Sequence, residues 1–132
     1  MQDRPSAPEL LDALAAMLFT EVREWVPRER RFQVLVAANV CAVVARELRA
    51  GTAPSVADAR LFRDLLGSDA GEPAPERAAQ EAREAAADLA EMLRAGELDG
   101  ELDEVTAHLR DHVRRKLEVA RPGYWEEADG TG

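Results

Sequence analysis

FQVLVAANVCAVVARELRAG, residues 32–51, decides the fold class. Between Val34 and Ala45 only Asn39 is polar, and the run also holds the chain's single cysteine, Cys41. Those 12 residues are too few to cross a bilayer, which takes about 20. The charges Arg28, Arg30, Arg31, Arg46, Glu47 and Arg49 lie at the two ends of the stretch. A helix apolar around most of its circumference is expected to be surrounded by other helices. The segment from about Glu29 to Ala50, closed by Gly51 as a C-terminal cap, is therefore read as the central helix of a bundle.

Four further helices can be drawn around it, and no convincing strand. Ser6-Ala-Pro-Glu9 has the form of a capping box, with proline tolerated in the first turn. Leu11, Leu14, Leu18, Val22 and Trp25 then recur at helical spacing up to Pro27. Ser55-Val-Ala-Asp58 reads as a second capping motif. It opens a short helix whose inward face is Val56, Ala59, Phe62, Leu65 and Leu66. Residues 67–75, GSDAGEPAP, read as a flexible connection. A small-residue stripe, Ala78, Ala82, Ala85, Leu89, Met92 and Leu93, marks a helix over about 76–95 that Gly96 closes. Leu102, Val105, Leu109, Val113, Leu117 and Ala120 form the seam of a last helix, which Pro122-Gly123 breaks. The expected organisation is one all-α domain. It has an arm over 1–5, a bundle of about five helices over 6–124 around the central apolar helix, and a flexible tail over 125–132.

Composition narrows the function. The chain has 132 residues, one domain's worth. Its formal charge is −9, from 17 basic and 26 acidic residues. Such a chain repels phosphate backbones and anionic membrane surfaces, so neither nucleic acid nor membrane is expected as a partner. One cysteine excludes an intramolecular disulfide framework. Asp3 and two prolines near the N-terminus stand where a signal peptide would need an apolar run, so a cytoplasmic location is expected.

Few residues invite a chemical reading. A buried Asn39 needs a hydrogen-bond partner, because an unpaired amide costs about 1–3 kcal/mol; it either fixes helix register or lines a pocket inside the bundle. Cys41, in apolar surroundings, reads as a buried structural thiol. His108 and His112 are four apart and project from one side of their helix, a spacing that can hold zinc. The HExxH pattern and the paired ExxH set of di-iron bundles are missing, and both rings project beside the apolar seam, as a solvated flank. No catalytic set and no cofactor motif is recognisable. Arg28, Arg30 and Arg31 oppose the dipole of the helix they open, which makes them candidates for docking an acidic surface. Tyr124 and Trp125 either fold back on the bundle or anchor a partner.

Three stretches, RPSAPELLDALAAML, FQVLVAANVCAVVARELRAG and LRDHVRRKLEVARPGY, together resemble a bacterial family of small, uncharacterised helical proteins, a domain of unknown function. The resemblance runs from about Arg4 to Tyr124. It implies no catalytic residue. It does imply a setting, because members are encoded beside an aminoglycoside-phosphotransferase-like kinase and an acyl-CoA dehydrogenase. The family's middle motif has an aromatic residue, then an arginine, then Val-Ala-Ala-Asn. Phe32 and Val36–Asn39 match it, but Leu35 replaces the arginine, so an anion site built on that arginine is not expected here. The expectation is a non-catalytic accessory protein for one of those enzymes, with a homodimer as a further possibility. The alternative is a small-molecule binder or small enzyme with a pocket near Asn39.

Overall fold

A computed structural model describes residues 4–129, with side-chain surroundings through 127. Every regular element among them is helical, so the chain is all-α, as its periodicity predicts. The order is α1 (Ala7–Met17), a π turn (Leu18–Val22), α2 (Arg23–Trp25), a 3-10 turn (Arg28–Arg30), α3 (Arg31–Ala50), α4 (Ala53–Leu65), α5 (Ala78–Arg94), a 3-10 turn (Asp99–Glu101), α6 (Leu102–Ala120) and α7 (Tyr124–Asp129). The chain separates into two compact units: residues up to 51 with 119–121, and residues 52–118 with those from 122 onward.

The first unit is a helical hairpin, α1 against α3. The predicted capping box opens α1, with the Ser6 N–H donating to Glu9 Oε2 at 2.7 Å. That hydrogen bond to the ionised form holds the Glu9 carboxyl below its ordinary range. Arg49 of α3 donates to Asp12 of α1 across the hairpin. The predicted stripe of the first helix holds only in part. Leu11, Leu18 and Val22 are half-buried, whereas Leu14 and Trp25 are exposed. The π turn explains the loss at its far end, since an extra residue in one turn rotates every later side chain off a 3.6-residue stripe.

The central-helix reading of α3 needs correction. Only Ala38 and Ala45 of its 20 residues are buried, and Phe32, Val36, Val40, Val44 and Leu48 are exposed. Asn39 is exposed and Cys41 half-buried, so neither is the core residue expected. The physical reason is simple. In a hairpin each helix has one neighbour, and that neighbour covers one stripe. The first unit also takes in residues 119–121, where Arg46 donates to the carbonyls of Val119 (2.5 Å) and Ala120 (3.3 Å).

The second unit has a core. Ala59 and Phe62 of α4, Ala82, Ala85 and Leu89 of α5, then Leu98 and Val105, are mutually packed and buried. Alanine on the facing side of α5 lets the α4 and α5 backbones approach closely. Gly96 closes α5 with φ +77°; its N–H donates to Leu93 O and the Glu97 N–H to Met92 O, the pairing that satisfies a helix's last carbonyls. That reversal delivers Leu98 into the core. The 67–75 connection is held rather than loose. Pro73 is buried, Arg63 donates to Gly71 O at 2.7 Å and to Glu81 Oε2 at 2.9 Å, and Arg60 pairs with Glu72. Residues 124–129 form α7; residues 130–132 of the expected tail and 1–3 of the expected arm lie outside the described residues.

No helix among the described residues is long and apolar enough to cross a membrane.

Candidate functional site

Two places carry unusual chemistry, one in each unit. The first is the tip of the hairpin. Phe19 is 54% exposed, Trp25 67% and Phe32 74%. Large aromatic faces in water are the exception on a folded surface, and these three flank the turn that carries the arginine cluster. Arg23 lies over the Phe19 ring at 5.3 Å. Arg28 is exposed; Arg30 donates to Gln33 Oε1 at 3.1 Å. Arg31 is half-buried and lies 3.8 Å from Glu24, with its Nε buried and unpaired. The cluster was legible in the sequence. The aromatic company was not, because Trp25 was assigned to the buried stripe.

The second place is built on Asp58. Its residue is 6% exposed, the one buried charged group among the described residues. The sequence reading gave Asp58 a capping role, and that is corrected: α4 starts at Ala53, two residues before Ser55, with proline in its first turn. Asp58 consequently falls in the second turn and faces inward, one turn before Phe62. Its Oδ1 accepts from His112 Nδ1 at 2.8 Å and from Arg115 at 2.8 Å, and Lys116 Nζ lies 3.8 Å from Oδ2. Burial alone pushes the carboxyl up; hydrogen bonds from Arg115 and His112, and their charges, outweigh it and hold the carboxyl below its ordinary range. The His112 ring also meets Phe62 edge-on, with centroids 5.0 Å apart.

The solvated flank expected for both histidines is therefore corrected for His112. The two rings do not act together. His112 reaches across to α4, whereas His108 Nδ1 sits 2.8 Å from Glu104 O on its own helix. Among the described residues no group of three metal-ligating side chains occurs. One signal in the sequence could have pointed to Asp58: a carboxylate four residues before Phe62, on an apolar stripe, requires a cationic partner elsewhere.

Beside this cluster runs an open groove of about 310 Å³. Helix α4 contributes Ser55, Asp58 and Phe62. Ala79, Ala82, Arg83 and Ala86 come from one side of α5, and His112 and Lys116 from α6. All of these lining residues belong to the second unit. With Asp58 holding its Nδ1 side, the His112 imidazole has a fixed orientation, and the rim of the groove is cationic.

The remaining candidates are dispersed. Arg114 lies over the Trp125 ring at 5.0 Å, and the Trp125 Nε1–H is buried without an acceptor. Trp125 is therefore folded back onto its own unit. Tyr124 is 40% exposed.

The family comparison covers most of the chain. A family model described as a domain of unknown function, DUF6285, matches residues 23–124. No curated protein and no solved structure matches.

Proposed function

The chain belongs to the DUF6285 family, and from that premise we propose that it is a non-catalytic accessory protein that docks on a partner enzyme through the tip of its helical hairpin. The observation that carries the reading is the exposure of Phe19, Trp25 and Phe32 beside Arg28 and Arg30. Tryptophan, other aromatics and arginine are the residue types that concentrate binding energy at interfaces. Their joint exposure in a chain of net charge −9 favours a partner with an apolar pocket rimmed by acids. The partner we assign is a phosphotransferase-like kinase, the setting implied by the family resemblance, with an acyl-CoA dehydrogenase as the second choice. Trp125, turned toward Arg114, has less to offer than Trp25, so the docking residues shift from the tail to the hairpin.

The alternative, a pocket around Asn39, loses its basis, since Asn39 is exposed on the outer side of α3. The test is purification of the tagged protein from its native host at low salt, with mass spectrometry of what is retained. Binding of the purified kinase is then measured for the wild type and for Trp25→Ala and Phe32→Ala. A stoichiometric kinase or dehydrogenase, lost with either substitution, is the expected result. A partner-free protein that also fails to bind either purified enzyme would overturn the reading. A concentration-dependent dimer broken by the same substitutions would replace it with self-association.

A further inference from the structure

The groove between α4, α5 and α6 lies in the other unit and has no part in that docking. We infer that it binds a small organic oxyanion, a carboxylate or phosphate ester whose head pairs with Arg83 and Lys116 and whose short apolar body lies on the alanine floor.

Charge is the first argument. Asp58 is already met at 2.8 Å by both Arg115 and His112, and Lys116 stands 3.8 Å from its other oxygen. One carboxylate cannot neutralise Arg115 and Lys116 together. No ion pair of Arg83 occurs among the described residues: Glu81 is paired with Arg63 at 2.9 Å, and Glu84, the next residue, projects about 100° away around the helix. An acidic chain thus keeps two cations on the rim of one groove with less than one acid between them. An anion supplies the missing charge, through charge-assisted hydrogen bonds of the stronger kind.

Shape is the second argument. The groove has a volume of about 310 Å³. That places it at the small end of metabolite sites. Its floor is alanine and Phe62, so an aliphatic or flat body can approach the helices closely without displacing a long side chain. The third argument is His112. It engages the protein through Nδ1, and no partner of Nε2 occurs among the described residues. In the neutral tautomer, with Nδ1–H given to Asp58, Nε2 is an acceptor of fixed orientation that suits a donor group on the ligand's body rather than its oxyanion head.

The experiment is a titration of the full-length, ¹⁵N-labelled protein with hexanoate, acetate and inorganic phosphate at constant ionic strength, followed by amide shifts. Saturable shifts at Ser55, Ala82 and His112 are expected, with hexanoate bound more tightly than acetate. The Arg83→Gln/Lys116→Gln variant should lose about tenfold or more in affinity, the worth of one charge-assisted hydrogen bond. Both side chains are exposed, so the variant should keep its melting temperature and the rest of its spectrum. Arg28→Gln/Arg30→Gln removes the same charge from the other unit and should leave the affinity unchanged. Whether acetate or phosphate, neither with an apolar body, binds tighter identifies the head group. The inference is overturned if neither gives saturable shifts, if acetate matches hexanoate, or if the control variant loses as much as the groove variant.

Discussion

The two units are written in the same alanine- and leucine-rich language and do opposite things with it. In the second unit, α4 and α5 share a packed face that Leu98 and Val105 complete, and it buries Phe62 and Leu89. In the first, α1 and α3 bury two alanines and leave Leu10, Leu14, Met17, Val36, Val40, Val44 and Leu48 exposed. Projecting the two helices of the hairpin at 100° per residue, with their half-buried stripes facing each other, puts Leu10, Leu14 and Met17 on the same side as Val40, Val44 and Leu48. Asp12 and Arg49 fall on the opposite side. The difference teaches that apolar periodicity encodes where a helix wants company, and not whether its own chain supplies it.

Core truncation should separate the units most clearly. Leu89 is 2% exposed, and Leu89→Ala should cost about 3 kcal/mol. Val40→Ala should stay within about 0.5 kcal/mol, as surface changes do. Urea midpoints at unchanged slope would check both. Equal losses would mean that the hairpin face is covered in solution.

The ionic cluster comes next. Asp58→Ala leaves Arg115 and His112 without their acceptor and should cost about 2 kcal/mol, less than a fully buried pair because Arg115 and Lys116 remain partly solvated. Its pH signature has a definite sign. The folded-state pKa of Asp58 is lowered, so the unfolded chain takes up this proton first. The stabilisation is complete above about pH 4, the unfolded value, and is lost as pH falls through the folded value. Asp58→Asn should flatten that acid limb, which a series of melts from neutral to acid pH would reveal. An unchanged limb would remove Asp58 from the account.

At the hairpin tip the two observables should part. Trp25→Ala should lower partner affinity by about 30-fold, or about 2 kcal/mol, in line with an interface hot spot, while moving the protein's own stability by no more than about 0.5 kcal/mol. Titration calorimetry with the partner, set against the denaturation curve, reads both. A large stability loss with unchanged affinity would make Trp25 a packing residue.

Much of the fold was legible. The positions of the five expected helices, the Ser6–Glu9 cap and the glycine stops at 51 and 96 follow from local chemistry, which the sequence states directly. The site was not. Asp58 was hidden because Ser55-x-x-Asp58 imitates a cap, and Pro54 in the first turn lets α4 begin earlier. His112 looked like a flank residue because its partner lies 54 positions away. Trp25 was misplaced by a π turn that no spacing in LFTEV announces. In each case the deciding fact is a long-range contact or a register change, and one-dimensional periodicity holds neither.

Asn39 offers the smallest and most diagnostic effect. If it were buried and hydrogen-bonded, Asn39→Ala would strand its partner and cost about 1–3 kcal/mol. On the exposed side of α3 the same change only replaces a weak helix former by the best one. It should then be neutral or stabilising by about 0.5 kcal/mol, read as a small rise in Tm. The measurement should be made across a range of protein concentrations. A stabilisation that holds at every concentration describes a hairpin whose outer face is open to solvent, ready for another protein. A loss that grows with concentration means instead that Asn39 is covered by a second copy, because only association couples Tm to concentration. The Asn39 side of α3 would then lie inside a dimer. A loss independent of concentration would place the cover within the chain itself, and the contrast between the two units would dissolve.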